Sequence, residues 1–347
     1  MSLIPATILT GFLGSGKTTL LKRVLAEAHG QKIAVIENEF GEENIDSDIL
    51  VSDTNEQIIQ MSNGCVCCTI REDLRTTLKD LAEKKRKGEL DFERVVIETT
   101  GVADPGPVAQ TFFMDDEIAE TYLLDSILTL VDAKHAVQQL NDRQEARRQI
   151  GFADQIFISK SDLVSKEELD ALMHRIKHMN PRAPQKAVHF GEVSLQEVFD
   201  LRGFNLNAKL DIDPDFLKDD DHHHDHGEHC DHPSHAHDHA THGHHHHHED
   251  DVKSFVFKSE RPFDPAKLED FLGAIVNIYG PRMLRYKGVL NMKGTDRKVI
   301  FQGVHQLMGS DLGPAWGETE VRTSKMVFIG IDLPKDIFLQ GMEQSLV

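Results

Sequence analysis

Nine residues near the start of the chain constrain its fold more than any others. Gly11-Phe12-Leu13-Gly14-Ser15-Gly16-Lys17-Thr18-Thr19 has the spacing G-x-x-x-x-G-K-[ST]. It follows the β-branched run Pro5–Thr10 and opens Lys17–Ala28, where Leu20, Leu21, Val24, Leu25 and Ala28 recur at helical spacing. A strand that turns through glycines into a helix aims backbone N–H groups at phosphate oxygens, and the helix dipole adds to the attraction. Gly11, Gly14, Ser15 and Gly16 would form the cradle. Lys17 would reach the β- and γ-phosphates, and Thr18, with Thr19 beside it, would offer a hydroxyl to Mg²⁺. The loop is expected to bind a nucleoside triphosphate.

The rest of the first 205 residues repeats the strand–helix alternation. Lys32–Glu37, Gln57–Met61, Arg94–Glu98, Ser126–Asp132, Gln155–Ser159 and Lys186–Phe190 read as strands, with helical stretches such as Glu72–Lys87 and Glu167–Met179 between them. Several strands are apolar on both faces, which implies a mostly parallel sheet covered on both sides. Further on, Lys253–Lys258, Leu284–Met292, Lys298–Leu307 and Lys325–Leu333 are strand-like, Pro265–Ile278 has helical spacing, and the last dozen residues suit a helix. The expected fold is therefore α/β, a P-loop NTPase domain over 1–205, then a small α+β domain over 252–347. Residues 206–251 would be a linker carrying a disordered insertion.

Two strand ends carry the next motifs. Glu98-Thr99-Thr100-Gly101 closes the strand RVVIE. It sets a carboxylate where Mg²⁺ or its water would sit, and a backbone N–H at Gly101 where a γ-phosphate could be sensed. Ser159-Lys160-Ser161-Asp162 follows the strand QIFI and resembles Asn-Lys-x-Asp, whose Asp accepts from guanine N1–H and the 2-amino group. Ser159 stands in place of Asn and gives up an amide's two-sided hydrogen bonding. Ser and Asp are also good helix caps, so capping is the competing reading.

Three of the four cysteines, Cys65, Cys67 and Cys68, fall within four positions. They are too close for a long-range disulfide framework and suit a soft or borderline cation such as Zn²⁺. A redox pair and buried structural cysteines are the alternatives. The cluster does not complete a four-thiolate site, and Glu37 and Glu42 are candidates for the remaining ligands. An incomplete shell suits transfer better than permanent structure.

The formal charge is −20, from 38 Lys+Arg and 58 Asp+Glu. Such a balance argues against nucleic acid as a partner. Half of it lies in residues 219–251, which hold ten acids, no Lys or Arg, and fifteen of the 21 His. That tract, with Cys230 inside it, cannot bury a core and is rich in ligands for Zn, Ni, Co or Cu. It is internal and interleaved with acids, unlike a purification tag. The six other histidines, His29, His135, His174, His178, His189 and His305, carry no functional weight on sequence alone. No apolar run is long enough for a membrane span, and the N-terminus lacks a signal-peptide pattern. A cytoplasmic protein is expected.

Together these residues resemble the CobW-type metallochaperone P-loop GTPases, YjiA-like branch. The likeness rests on GFLGSGKTT at 11–19, ENEFGE at 37–42, GCVCC at 64–68, ETTG at 98–101 and SKSD at 159–162. It extends to Arg285-Tyr286-Lys287-Gly288 and Lys325–Gly330. The resemblance implies GTP and Mg²⁺ at the loop, slow intrinsic GTP hydrolysis, and Zn²⁺ (or Co²⁺ or Ni²⁺) near the nucleotide. Glu37, Glu42 and Cys67 would lead among its ligands, with Cys65 and Cys68 as further candidates, and the metal would be delivered to a client metalloprotein. A homo-oligomer is compatible with it. Two rival functions stay open: metal buffering by the His tract, and a metal-sensing nucleotide switch without transfer.

Overall fold

A computed structural model of the chain describes residues 3–27, 32–38, 57–61, 69–189, 191–201 and 250–347. Among them, seven parallel strands form one sheet in the order β3-β2-β4-β1-β5-β6-β7. These are β1 (Ile4–Gly11), β2 (Ile33–Asn38), β3 (Gln57–Met61), β4 (Arg94–Glu98), β5 (Tyr122–Asp132), β6 (Gln155–Ser159) and β7 (Gln185–Ala187). Side chains alternate between two cores, as a doubly covered sheet requires. Ile4, Ala6 and Ile8 of β1 and Ile156 and Ile158 of β6 face one core, while Leu9 and Phe157 face the other.

Helix α1 (Lys17–Glu27) packs on the second core through Leu20, Leu21, Val24 and Leu25. The helices that follow are α2 (Thr69–Arg86), α3 (Pro105–Met114), α4 (Asp116–Thr121), α5 (Ala136–Asp142), α6 (Gln144–Phe152), α7 (Lys166–Met179) and the single turn α8 (Leu195–Val198). Local chemistry starts several of them. Asp104 caps α3 by accepting from Gly106 N, with Pro105 at the first helical position. Ser165 and Glu168 close a capping box on α7.

The C-terminal unit is a five-stranded antiparallel sheet in the order β11-β10-β9-β12-β8. Its strands are β8 (Val252–Ser259), β9 (Met283–Leu290), β10 (Arg297–Val304), β11 (Leu307–Ala315) and β12 (Ser324–Ile331). One face is covered by α9 (Pro265–Tyr279) and α10 (Lys335–Gln344), in a core holding Phe255, Phe328 and Phe338. The other face packs on α6 and α7, so Val252, Leu284, Val327 and Ile329 join the first core of the parallel sheet. Asp250 and Asp251, counted above with the His tract, belong structurally to this junction: Arg175 chelates Asp250 and Arg147 pairs with Asp251.

At the centre of the junction Asp154 is buried between Arg182 and Arg285, with Arg285 Nη2 at 3.1 Å. Its second oxygen accepts from Ile127 N at 2.9 Å. Burial opposes the charge, but Arg285 and Arg182 outweigh it and hold the carboxyl below its ordinary range. Its contribution to stability is therefore complete above about pH 4, the unfolded value, and is lost as pH falls through the lower native one. Asp154→Asn keeps the Ile127 hydrogen bond and removes the countercharge. It should cost about 3 kcal/mol in urea unfolding at pH 7, with a smaller difference from wild type at acid pH.

Candidate functional site

The carboxyl ends of β1, β4, β5 and β6 converge on one edge, where the chain after β1 and the chain after β4 run side by side. This is the crevice in which open α/β sheets bind ligands. Gly11, at φ +144°, lies so close to the Leu130 carbonyl of β5 that a Cβ there would overlap it. The loop then closes with Ser15 N donating to Phe12 O at 3.2 Å and Leu20 N to Gly16 O at 3.0 Å. Lys17 is buried, and its ammonium donates to the carbonyls of Gly11 at 2.9 Å and Phe12 at 3.5 Å. Burial lowers its pKa, an effect that Glu98 only partly offsets.

Thr18 Oγ1 donates to Glu98 Oε1 at 3.3 Å. A hydroxyl and a carboxylate side by side are hard oxygen donors of the kind Mg²⁺ prefers. Thr99, after β4, donates its N–H to Leu9 O at 2.9 Å and its hydroxyl to Thr10 Oγ1 at 2.9 Å, tying this strand end to β1. Gly101 is buried against the loop: a Cβ there would lie 2.5 Å from Leu13 N. Thus Lys17, Thr18, Glu98 and Gly101 are brought together. Thr19 stands at the exposed side of α1, toward a neighbouring pocket.

That pocket is a cavity of about 340 Å³ lined by Ser15, Thr19, Lys160, Asp162, Val188 and His189, among others. Ser159 Oγ donates to Ser15 O at 2.7 Å, so the residue replacing Asn still clips the phosphate loop to the base loop. The capping reading fails for Ser159, since it ends β6. Lys160, in the left-handed region at φ 54°, donates to Asp132 Oδ2 at 2.7 Å. Burial opposes ionisation of Asp132, but hydrogen bonds from Lys160 and His135 prevail and keep the carboxyl low. Asp162 is half-exposed at the rim, 3.4 Å from His189 Nδ1.

Glu37, one residue before the end of β2, lies directly beside Glu98, its register partner on β4. The other predicted metal ligands, Glu42, Cys65, Cys67 and Cys68, and the His tract from His222 to His248 lie outside the described residues. Among the described residues no cluster of three His, Cys, Asp or Glu could hold a metal, and no helix is long and apolar enough to cross a membrane. Sequence reasoning missed Asp132, Gln149 and the two histidines at the base loop. Asp132 had a signal, since an acid that ends an apolar strand repeats the pattern of Glu98.

Fold and loop together define a P-loop nucleotide-binding protein. The chain belongs to the CobW/HypB/UreG family: residues 5–186 match its nucleotide-binding domain, and residues 252–346 match the cobalamin synthesis protein cobW C-terminal domain. It is 39% identical to the zinc chaperone YjiA of Escherichia coli strain K12 over 337 residues, which cover 97% of this chain and 96% of that one. It is 30% identical to the zinc chaperone CobW of Sinorhizobium, covering 94% and 93% of the two chains. The crystal structure of Zn(II)-bound YjiA GTPase from E. coli superposes with a TM-score of 0.76 at 33% identity, over 100% of both chains.

The Ser159 clip has a measurable consequence. Ser159→Ala removes one hydrogen bond, a loss of about 1 kcal/mol. The dissociation constant for GDP should rise about fivefold by calorimetry. Asp162→Ala should in addition erase the preference for guanine over adenine nucleotides in competition binding.

Proposed function

We propose that this chain, a GTPase of a zinc-related metallochaperone family, carries Zn²⁺ on the segment bearing Glu37, Glu42 and the C-x-C-C cluster, and couples GTP hydrolysis to delivery of that metal to a client metalloprotein. Adjacency of Glu37 and Glu98 supports this reading most. One carboxylate borders the Mg²⁺ position beside Thr18, and its neighbour one strand away begins the segment that holds the other predicted ligands. Cys67 follows the end of β3 at Met61 by six residues, a reach of at most about 20 Å. β3 pairs with β2 up to Asn38↔Met61, so both flanks of the metal segment leave from the same sheet edge.

On nucleotide binding Lys17 turns from the loop carbonyls to the β- and γ-phosphates. Thr18 and Glu98 would hold Mg²⁺, which neutralises phosphate charge when bound. Gly101 N–H faces the γ-phosphate, and Asp162, held at the rim of the base pocket, selects guanine. Loss of the γ-phosphate then moves the backbone after β2 and β4, and with it the coordination shell of the carried metal.

Lys17→Ala should lower GTP turnover by about 100-fold or more, read as phosphate release. The metal reading is tested by chelator competition. A lost outer-shell partner costs about 10–100-fold in metal affinity, so Cys67→Ala should weaken Zn²⁺ binding at least about 100-fold. Deleting 222–248 should leave the tightest site intact. Equal losses in the two variants would assign the metal to the His tract instead.

A further inference from the structure

Helix α6 touches the γ-phosphate side of the site with one face and the C-terminal sheet with the other. Gln149 is buried, and its side-chain amide donates to Gly101 O at 3.1 Å and to Ala103 O at 3.0 Å. Those two carbonyls belong to the short turn, closed by Ala103 N donating to Thr100 O, that carries the Gly101 N–H. The same residue is pinned to the sheet, since Thr129 of β5 donates to Gln149 O at 2.8 Å. Its neighbour Arg148 donates to Asp104 at 2.7 Å, the residue that ends the turn and caps α3. Two consecutive side chains of α6 thus hold both ends of the turn after β4.

Two residues further on, Gly151 meets the C-terminal sheet. A Cβ there would lie 2.6 Å from Leu284 Cδ1 of β9 and 3.2 Å from Val252 Cγ1 of β8. The contact is closed by the absence of a side chain. Phe152, the last residue of α6, takes the edge of His305 at 5.2 Å between ring centroids. His305 follows β10 and also presses on Gly106 in the first turn of α3. The sheet therefore grips α6 and α3 together, on either side of the turn that ends at Asp104.

The geometry points to Gln149 as a positioning residue for GTP hydrolysis, and to α6 as the element through which the C-terminal domain sets the γ-phosphate turn. The amide of Gln149 fixes the peptide planes that follow Gly101 and Ala103. Displacing α6 by a few tenths of an ångström therefore turns the plane that follows Gly101 and, through the Gly101 backbone, its N–H, and packed interfaces pass such displacements on rather than absorb them. Whatever loads or unloads the C-terminal sheet would alter turnover by this route. The inference rests on Gly101 as the γ-phosphate sensor.

The test uses the full chain. Gln149→Leu keeps the buried volume and removes both donors. It should lower kcat for GTP at least about tenfold, the low side of what one misplaced transition-state donor costs, with GDP affinity within about twofold of wild type. On the opposite face, Gly151→Ala should lower kcat several-fold, and adding Leu284→Ala should restore it by emptying the space the new methyl needs. That rescue, which a loss of stability would not give, is the signature of a connection through α6. Wild-type kcat in Gln149→Leu, parallel loss of kcat and GDP affinity, or failure of Leu284→Ala to rescue would each overturn the proposal. Lys17→Ala separates it from the site assignment: an inactive Lys17→Ala beside an unaffected Gln149→Leu rejects the relay alone.

Discussion

The whole nucleotide edge depends on how closely β1 and β5 approach at Gly11. The two strands pair in register up to Gly11↔Leu130, and a Cβ at Gly11 would overlap the Leu130 carbonyl. Because none is present, the chain leaves β1 at φ +144° and folds back over its own strand end. Only then can Lys17, six residues later, reach the Gly11 carbonyl. The same turn brings Ser15 under Ser159 and Thr18 under Glu98. The loop after β1, its tie to the Ser159 strand end and the Thr18–Glu98 pair are thus three consequences of one close approach between backbones.

A buried ammonium is costly unless its hydrogen bonds are satisfied. Lys17 is satisfied by two carbonyls, one of them part of the turn just described. Its charge is disfavoured by burial and supported by Glu98. Phosphate oxygens offer the same donors a stronger, charge-assisted partner, so the loop is built around a position that an anion improves. The contrast with Asp132 is instructive. That carboxylate is also buried, but the Lys160 ammonium pairs with it and His135 hydrogen-bonds to it from within the protein, so it holds Lys160 in place rather than inviting a ligand.

Strands with both faces buried were the most legible part of the sequence. Arg94–Glu98 and Gln155–Ser159 have the same limits in the structure as in the apolar pattern, because continuous burial leaves no ambiguity of face. The helices between 105 and 152 were not legible. They run six to ten residues, too short for a periodicity, and α6 buries a glutamine and a glycine on the face that matters. β11 escaped for a different reason: it is an edge strand whose residues 308–312 are exposed, so nothing selects an alternation. The loop motifs named residues that the fold gathers at one sheet edge, Lys17, Thr18, Glu98 and Ser159 among them. Single histidines could not be ranked, since His135, His189 and His305 differ only in what the fold places beside them.

The charge of −20 also divides differently once the fold is known. Asp250 and Asp251 are held by Arg175 and Arg147 at the end of the His-rich stretch. Asp200, just before it, is held by Arg94, whose guanidinium stacks on Phe199 at 4.4 Å. Both flanks are tied by arginine, a cation that stays charged across any physiological pH. The fifteen histidines between them are imidazoles, for which protons and metals compete, whereas the anchoring guanidiniums take part in neither exchange. Arg147 lies on α6 two residues from Gln149, so the exit of the stretch is fastened to the same helix that holds the Gly101 turn.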